Sequence, residues 1–225
     1  MKKKNRASAR KAVKPRSGGA GSKAAVPKRA ATDPGKATIR RLRSELADAQ
    51  ELVEKLQASA DTDFLLGILN RRGFERELNR SIAYMQRYRA SGALIVLDVD
   101  RLKPINDAFG HAAGDQVLKA VVAAVTGQVR ASDVAGRLGG DEFVVLLWNL
   151  SETDAHAKAA ALEQAIDRLS FVFGGQTVTA GASAGVAILG AHSEAARALE
   201  EADRAMYVRK AQRRHERNGG AVHGP

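Results

Sequence analysis

Two pairs of acids sit where apolar runs stop or start. Ala93–Val99 is apolar until it reaches Asp98-Val99-Asp100, and Asp141-Glu142 stands immediately before the apolar run Phe143–Trp148. A buried strand that ends in carboxylates delivers them to the edge of a sheet, where sites collect. Side chains alternate along a strand, so Asp98 and Asp100 point the same way unless the strand has already ended. If the two strands lie side by side, their acids can hold Mg²⁺. That hard cation takes few oxygens from protein and leaves the rest to water and phosphate, which is the wiring of nucleotidyl transfer. The competing reading is a set of acids that merely cap strand ends.

The elements that position these acids follow from periodicity. Ala93–Asp100 and Phe143–Trp148 read as buried strands, and Val178–Ile188 reads as a third despite its glycines. Helical spacing marks Arg71–Arg89, Gly114–Val129, Thr153–Leu169 and Glu194–Arg213. Gly139-Gly140 lies between Val134–Leu138 and Phe143–Leu147, both apolar-leaning, and reads as a hairpin turn whose backbone can adopt positive φ and let a ligand approach. Strands separated by helices in this way make a layered domain with helices covering a sheet.

The stretch Arg137-Leu138-Gly139-Gly140-Asp141-Glu142-Phe143-Val144-Val145 resembles the signature of the GGDEF family of diguanylate cyclases. Four further blocks fit in order. Asp63–Arg72 resembles the opening D-x-L-T-G-L-x-N-R-R, Asp98–Asp107 resembles D-x-D-x-F-K-x-I-N-D, and Phe109-Gly110-His111 through Gly114-Asp115 continues it. Ser183–Ala187, then Ala202-Asp203 through Met206-Tyr207 with Lys210, resemble the closing strand and helix.

The resemblance implies an α+β fold, a central mostly antiparallel sheet covered by helices and preceded by an N-terminal helix. The resemblance covers a catalytic domain (61–217); composition and periodicity set before it a basic tail (1–37) and a helical stalk, a possible short coiled coil (38–60), and leave a flexible C-terminus (218–225). It implies a transferase of second-messenger signalling that condenses two GTP into cyclic di-GMP, with two Mg²⁺ or Mn²⁺ per active site and two copies facing each other as a homodimer. Asp98, Asp141 and the Val99 carbonyl would hold metal, with Asp141 and Glu142 as the catalytic pair. Asn106 and Asp115 would read guanine, since a carboxylate accepts from its N1–H and N2–H₂. Backbone at Arg101, Leu102 and Lys103, with the Lys210 and Arg214 side chains, would grip the triphosphate. Arg130 and Asp133 match an R-x-x-D site where cyclic di-GMP binds and inhibits; taken alone, the tetrapeptide is an ordinary surface ion pair. The alternative function is a catalytically silent domain that binds cyclic di-GMP and signals onward. Departures from the pattern are Leu66 for Thr, Leu102 for Phe, and Arg213 and His215 around Arg214, which put the phosphate grip in question more than the chemistry.

The net charge of +11 is placed unevenly. Residues 1–37 hold twelve of the 36 Lys/Arg and one of the 25 acids, Asp33, so the rest of the chain is neutral in formal charge. That tail lacks the large apolar side chains that could offset the entropy of ordering it, and reads either as solvated or as an arm for nucleic acid or an anionic membrane. Ile39, Leu42, Leu46, Ala49, Val53 and Leu56 recur at steps of three and four, a helix stripe that serves either its own domain or a second copy. With no cysteine, no export-type apolar segment after Lys2–Lys4 and no membrane-length apolar run, the expected compartment is the cytoplasm.

Overall fold

In a computed structural model the described residues are 34–219. They fall into two units that divide between Asp48 and Ala49. Helix α1, Pro34–Ala60, opens on a proline, which suits a first-turn position whose N–H would have no helical partner. It therefore begins within the segment assigned from sequence to the tail; residues 1–33 of that tail, and 220–225 of the C-terminus, lie outside the described residues. Ile39, Leu42 and Leu46 are more than half exposed. The side chains of Val53 and Leu56, which continue the stripe in sequence, lie outside the described residues. No described helix is long and apolar enough to cross a membrane.

The second unit is built on a five-stranded sheet of order β1-β3-β4-β2-β7. Its strands are β1 Leu69–Asn70, β2 Gly92–Val99, β3 Val134–Gly139, β4 Glu142–Trp148 and β7 Ala182–Leu189, while β5 Ser170–Phe173 and β6 Gln176–Thr179 form a separate hairpin. Only the β1–β3 pairing is parallel; the other pairs in both sheets are antiparallel. This is the α+β architecture expected.

Alternation along β2 sorts the core into two layers. Ile95, Leu97 and Val99 face α3 (Leu102–Phe109), α4 (His111–Thr126) and α5 (Glu152–Asp167) through residues such as Ile105, Val117 and Leu162. Leu94 and Val96 face α2 (Arg71–Tyr88) and α6 (Ala195–Gly219) through Phe74, Leu78, Ala202 and Met206. Asp98 continues the even-numbered series, so its carboxylate belongs to the α2/α6 layer. Glu142, its direct partner on β4, shares that face with Val144 and Leu146.

One strand expected from the sequence is in fact two. Val178–Ile188 breaks at Ala180-Gly181, where the Ala180 N–H donates to Leu169 and the Gly181 carbonyl accepts from Asp100 at 2.7 Å. The backbone there is spent on the start of β5 and on the turn after β2, so the ladder cannot run through. Strand β2 ends at Val99 and Asp100 lies in the following turn, so strand alternation does not carry over to Asp100.

Candidate functional site

The site forms where β2 ends, the β3–β4 turn closes and α6 passes. Asp98 and Glu142 are paired residues on neighbouring strands, and the Val99 N–H donates to the Asp141 carbonyl at 2.9 Å, which ties the two acid pairs together. Lys210 reaches in from α6, its Nζ 2.5 Å from Asp98 Oδ1. Burial lifts the Asp98 carboxyl above its ordinary value; Lys210 opposes this, and Asp141 and Asp100 add to it. Glu142 is lifted the same way, first by burial and then by Asp203 and Asp98, with Arg71 opposing. Asp98 and Glu142 thus each feel several neighbouring acids, and cations answer them, Lys210 at Asp98 and Arg71 at Glu142.

The β3–β4 turn is held from outside the site. Gly139 and Gly140 have φ of 154° and 51°, and the second lies in the left-handed region that favours glycine. Arg137 donates through Nε and Nη2 to the Gly140 carbonyl at 3.0 and 2.6 Å, and through Nη1 to Asp63 Oδ2 at 3.0 Å. Asp63 Oδ1 accepts from the Leu65 and Leu66 N–H groups, so the opening sequence block serves as a bracket for the acidic turn. Arg71 adds a hydrogen bond to the Leu138 carbonyl at 2.8 Å. Reading the sequence missed the bracing role of these arginines because the Arg137–Asp63 and Arg71–Leu138 contacts join residues far apart in the chain.

On the other side of Asp98 the chain turns sharply into α3. Arg101, the residue before the helix, has φ 66°, strained for a residue with a Cβ, and such strain gathers at functional turns. It leaves the Leu102 and Lys103 N–H groups at a helix start, where no intrahelical acceptor exists for them. Leu102 itself is buried in the core, so it fills the place expected of Phe. Asn106 Oδ1, from the same helix, is buried without a hydrogen-bond partner. It lies against Gly114 on α4 so closely that a Cβ at 114 would stand 1.9 Å from it, and Asp115 follows directly. A buried amide oxygen without a donor is a polar group whose hydrogen-bonding capacity is unspent.

Arg214, expected at the phosphates, is exposed one turn beyond Lys210. Its neighbour Arg213 is buried, with Nη2 2.6 Å from Asp167 Oδ1, Nη1 3.3 Å from Glu163 Oε2 and Nε 3.9 Å from Asp100 Oδ2. Burial opposes its charge, and Asp167, Glu163 and Asp100 outweigh that, holding the guanidinium above its ordinary pKa. Arg209 also binds Glu163, at 3.1 Å, while Glu163 Oε1 accepts from the Ala184 N–H of β7 at 2.8 Å.

Arg130 and Asp133 occupy a different part of the unit, at the turn before β3. Asp133 Oδ2 accepts from the Arg130 backbone N–H at 2.8 Å and Oδ1 accepts from the Trp148 N–H at 3.2 Å. The carboxylate bonds backbone here, and the Arg130 residue is exposed. A cavity of about 70 Å³ beside them is lined by Gln128, Trp148, Leu150 and Lys158 as well.

Comparison with known proteins now decides the lineage. The family profile described as diguanylate cyclase, GGDEF domain, matches residues 60–216. The chain belongs to the GGDEF-domain family of diguanylate cyclases. It is 38% identical over 194 residues to the diguanylate cyclase TpbB of Pseudomonas aeruginosa PAO1, covering 84% of this chain and 44% of that protein. It is 33% identical over 167 residues to the probable diguanylate cyclase DgcE of Escherichia coli K12, covering 74% of this chain and 15% of that protein. The chain therefore spans less than half the length of either of these relatives. Among solved structures it is similar to the coiled coil and GGDEF domain of DgcB from Caulobacter crescentus in complex with c-di-GMP. The TM-score is 0.67 at 25% identity, over 80% of this chain and 96% of that one.

Proposed function

We propose that this chain is a cytoplasmic diguanylate cyclase that joins two GTP molecules into cyclic di-GMP and releases two pyrophosphates. The observation that carries the reading is the junction of two incomplete polar sets on either side of one turn. Asp98, Asp141 and Glu142 form an acid cluster with a cation at its mouth. Asn106 carries an unpartnered amide oxygen against Gly114, the residue before Asp115.

The residues present fit a divalent ion. Among the described residues no group of three or more His, Asp and Glu stands in caging geometry. Mg²⁺ or Mn²⁺, two per site in this proposal, needs no such cage when phosphate and water complete its shell. Asp98, Asp141 and the Val99 carbonyl would hold it, with Glu142 in support. The bound ion supplies acidification of the attacking hydroxyl and neutralisation of charge on the phosphoryl group.

The chain's own groups do the binding and orienting. Asp115 and Asn106 read the guanine edge; adenine, lacking the N1–H and N2–H₂ donors, would leave Asp115 unpaired. The N–H groups that open α3 and the cations of α6 receive the triphosphate, Lys210 moving from Asp98 to phosphate as it does so. The 3′-oxygen of one GTP bonds to the α-phosphorus of the other, the bond to the β-phosphate oxygen breaks, and the exchange repeats with roles reversed. A single unit presents half of this arrangement, so two copies must meet. The exposed Ile39–Leu42–Leu46 stripe suits a parallel pairing that raises their effective concentration. Cyclic di-GMP, the ligand in the DgcB complex, would also bind at Arg130 and Asp133 and limit turnover.

The test is conversion of GTP to cyclic di-GMP by the purified chain with Mg²⁺. Turnover is expected, and Asp141→Ala is expected to lower it at least ~100-fold while cyclic di-GMP binding persists. Binding without turnover in the parent chain would leave the silent signalling domain as the correct account. Leu42→Glu with Leu46→Glu should make specific activity fall steeply on dilution; unchanged activity at low protein concentration would remove α1 as the dimeriser.

A further inference from the structure

We propose that Arg213 is a positioning residue that sets the rotation and height of α6, so that Lys210 meets the phosphate end of the substrate. The proposal rests on the GTP-binding reading above and goes beyond it. Arg213 is one of the positions at which this chain departs from the family pattern.

The geometry is a two-rung ladder. Lys210 and Arg213, three residues apart, share one side of α6. Asp98 and Asp100, two residues apart, flank Val99 at the end of β2. Lys210 meets Asp98 at 2.5 Å, and Arg213 Nε lies 3.9 Å from Asp100 Oδ2. That Nε is buried and has no hydrogen-bond partner, so the second rung is electrostatic and the guanidinium is fixed chiefly by its other two nitrogens. Those bond Glu163 and Asp167 on α5. Glu163, only 5% exposed, is itself fixed by the Ala184 N–H on the outer edge of β7 and by Arg209.

Two arginines on α6 thus close over the edge strand onto α5, with Gly185 of β7 letting the α6 backbone approach so near that a Cβ would stand 2.1 Å from the Ala202 carbonyl and the Met206 N–H. A planar fork with fixed donors holds such a register; a flexible ammonium does not. Helices are stiff over one turn, so an anchor at 213 is an anchor for 210.

The experiment is a double-mutant cycle on the full chain, using Arg213→Ala, Lys210→Ala and the pair. It is read as KM and kcat for GTP with Mg²⁺, and as equilibrium binding of a fluorescent GTP analogue with Ca²⁺. Arg213→Ala should raise KM and weaken analogue binding roughly tenfold, with kcat changed less than about threefold. The pair should bind within about twofold of Lys210→Ala alone, because both changes remove one interaction. Arg213→Lys should recover less than half of the loss. Full multiplication of the two single effects, or a change under twofold on Arg213→Ala, overturns the proposal.

If Arg213→Ala does not fold cooperatively, Asp167→Asn removes a single contact and should weaken binding two- to threefold, again without adding to Lys210→Ala; no shift overturns it. A parent chain that binds the analogue but forms no cyclic di-GMP would defeat the catalytic reading alone and leave this cycle interpretable. A parent chain that does not bind the analogue defeats both.

Discussion

The acid cluster at the end of β2 and the Arg130–Asp133 turn are both made of carboxylates beside backbone, yet they are wired in opposite ways. At the first, charges are crowded and partly desolvated, Asn106 Oδ1 has no partner, and Asp98 and Glu142 are pushed toward their neutral forms. At the second, each oxygen of Asp133 already accepts a backbone N–H, so the carboxylate completes the turn whether or not a ligand is present. The first region gives up stability that a ligand would restore. The second is structurally finished, and a ligand there must be held by what remains free, the Arg130 guanidinium above all.

The largest expected effect that would sharpen this contrast comes from Gly114→Ala. The new Cβ displaces Asn106, so GTP KM should rise tenfold or more, while unfolding free energy changes by less than ~1 kcal/mol because Ala is the better helix former. Steady-state kinetics beside urea titration checks it; loss of stability with KM intact would mean that Asn106 is packing, not a waiting acceptor.

At the other region the order should reverse. Asp133→Ala orphans two N–H groups and should cost about 1–2 kcal/mol in unfolding free energy, with initial turnover preserved and inhibition by added cyclic di-GMP reduced. If stability is unchanged, the two regions do not differ as described.

The smallest effect belongs to Glu142. Its folded-state pKa lies above the ordinary value, so the folded protein binds that proton more tightly than the unfolded chain does. The resulting penalty is present above the carboxylate range and disappears as pH falls through it. Glu142→Gln should therefore raise the Tm of metal-free protein at pH 7, lose that gain at low pH, and lower turnover. A Tm that drops at pH 7 would show that the Arg71 contact outweighs burial and like charge.

Much of this was legible in the residues themselves. Apolar runs located β2 and β4, the glycine pair located the turn that leads into β4, and five motif blocks named the lineage, because local spacing and backbone permissiveness are properties of short stretches of chain. The short helix α3 is absent from the helices that periodicity marks, since its eight residues offer too few periods to register. Val178–Ile188 was read as one strand because its break is made by hydrogen bonds to Leu169 and Asp100, which periodicity does not reveal.

The sequence alone marked the acids at 98, 141 and 142 as candidates for chemistry, and the family resemblance added the amide at 106. Tertiary structure alone decided that Asp98 and Glu142 face the same helices, that Arg137 and Asp63 brace the acidic turn, and that Arg213 turns inward to Glu163 and Asp167 while Arg214 stays outside. The physical reason is that side-chain type sets what a group can do, whereas its partner, burial and charge state depend on residues that folding brings together from far along the chain.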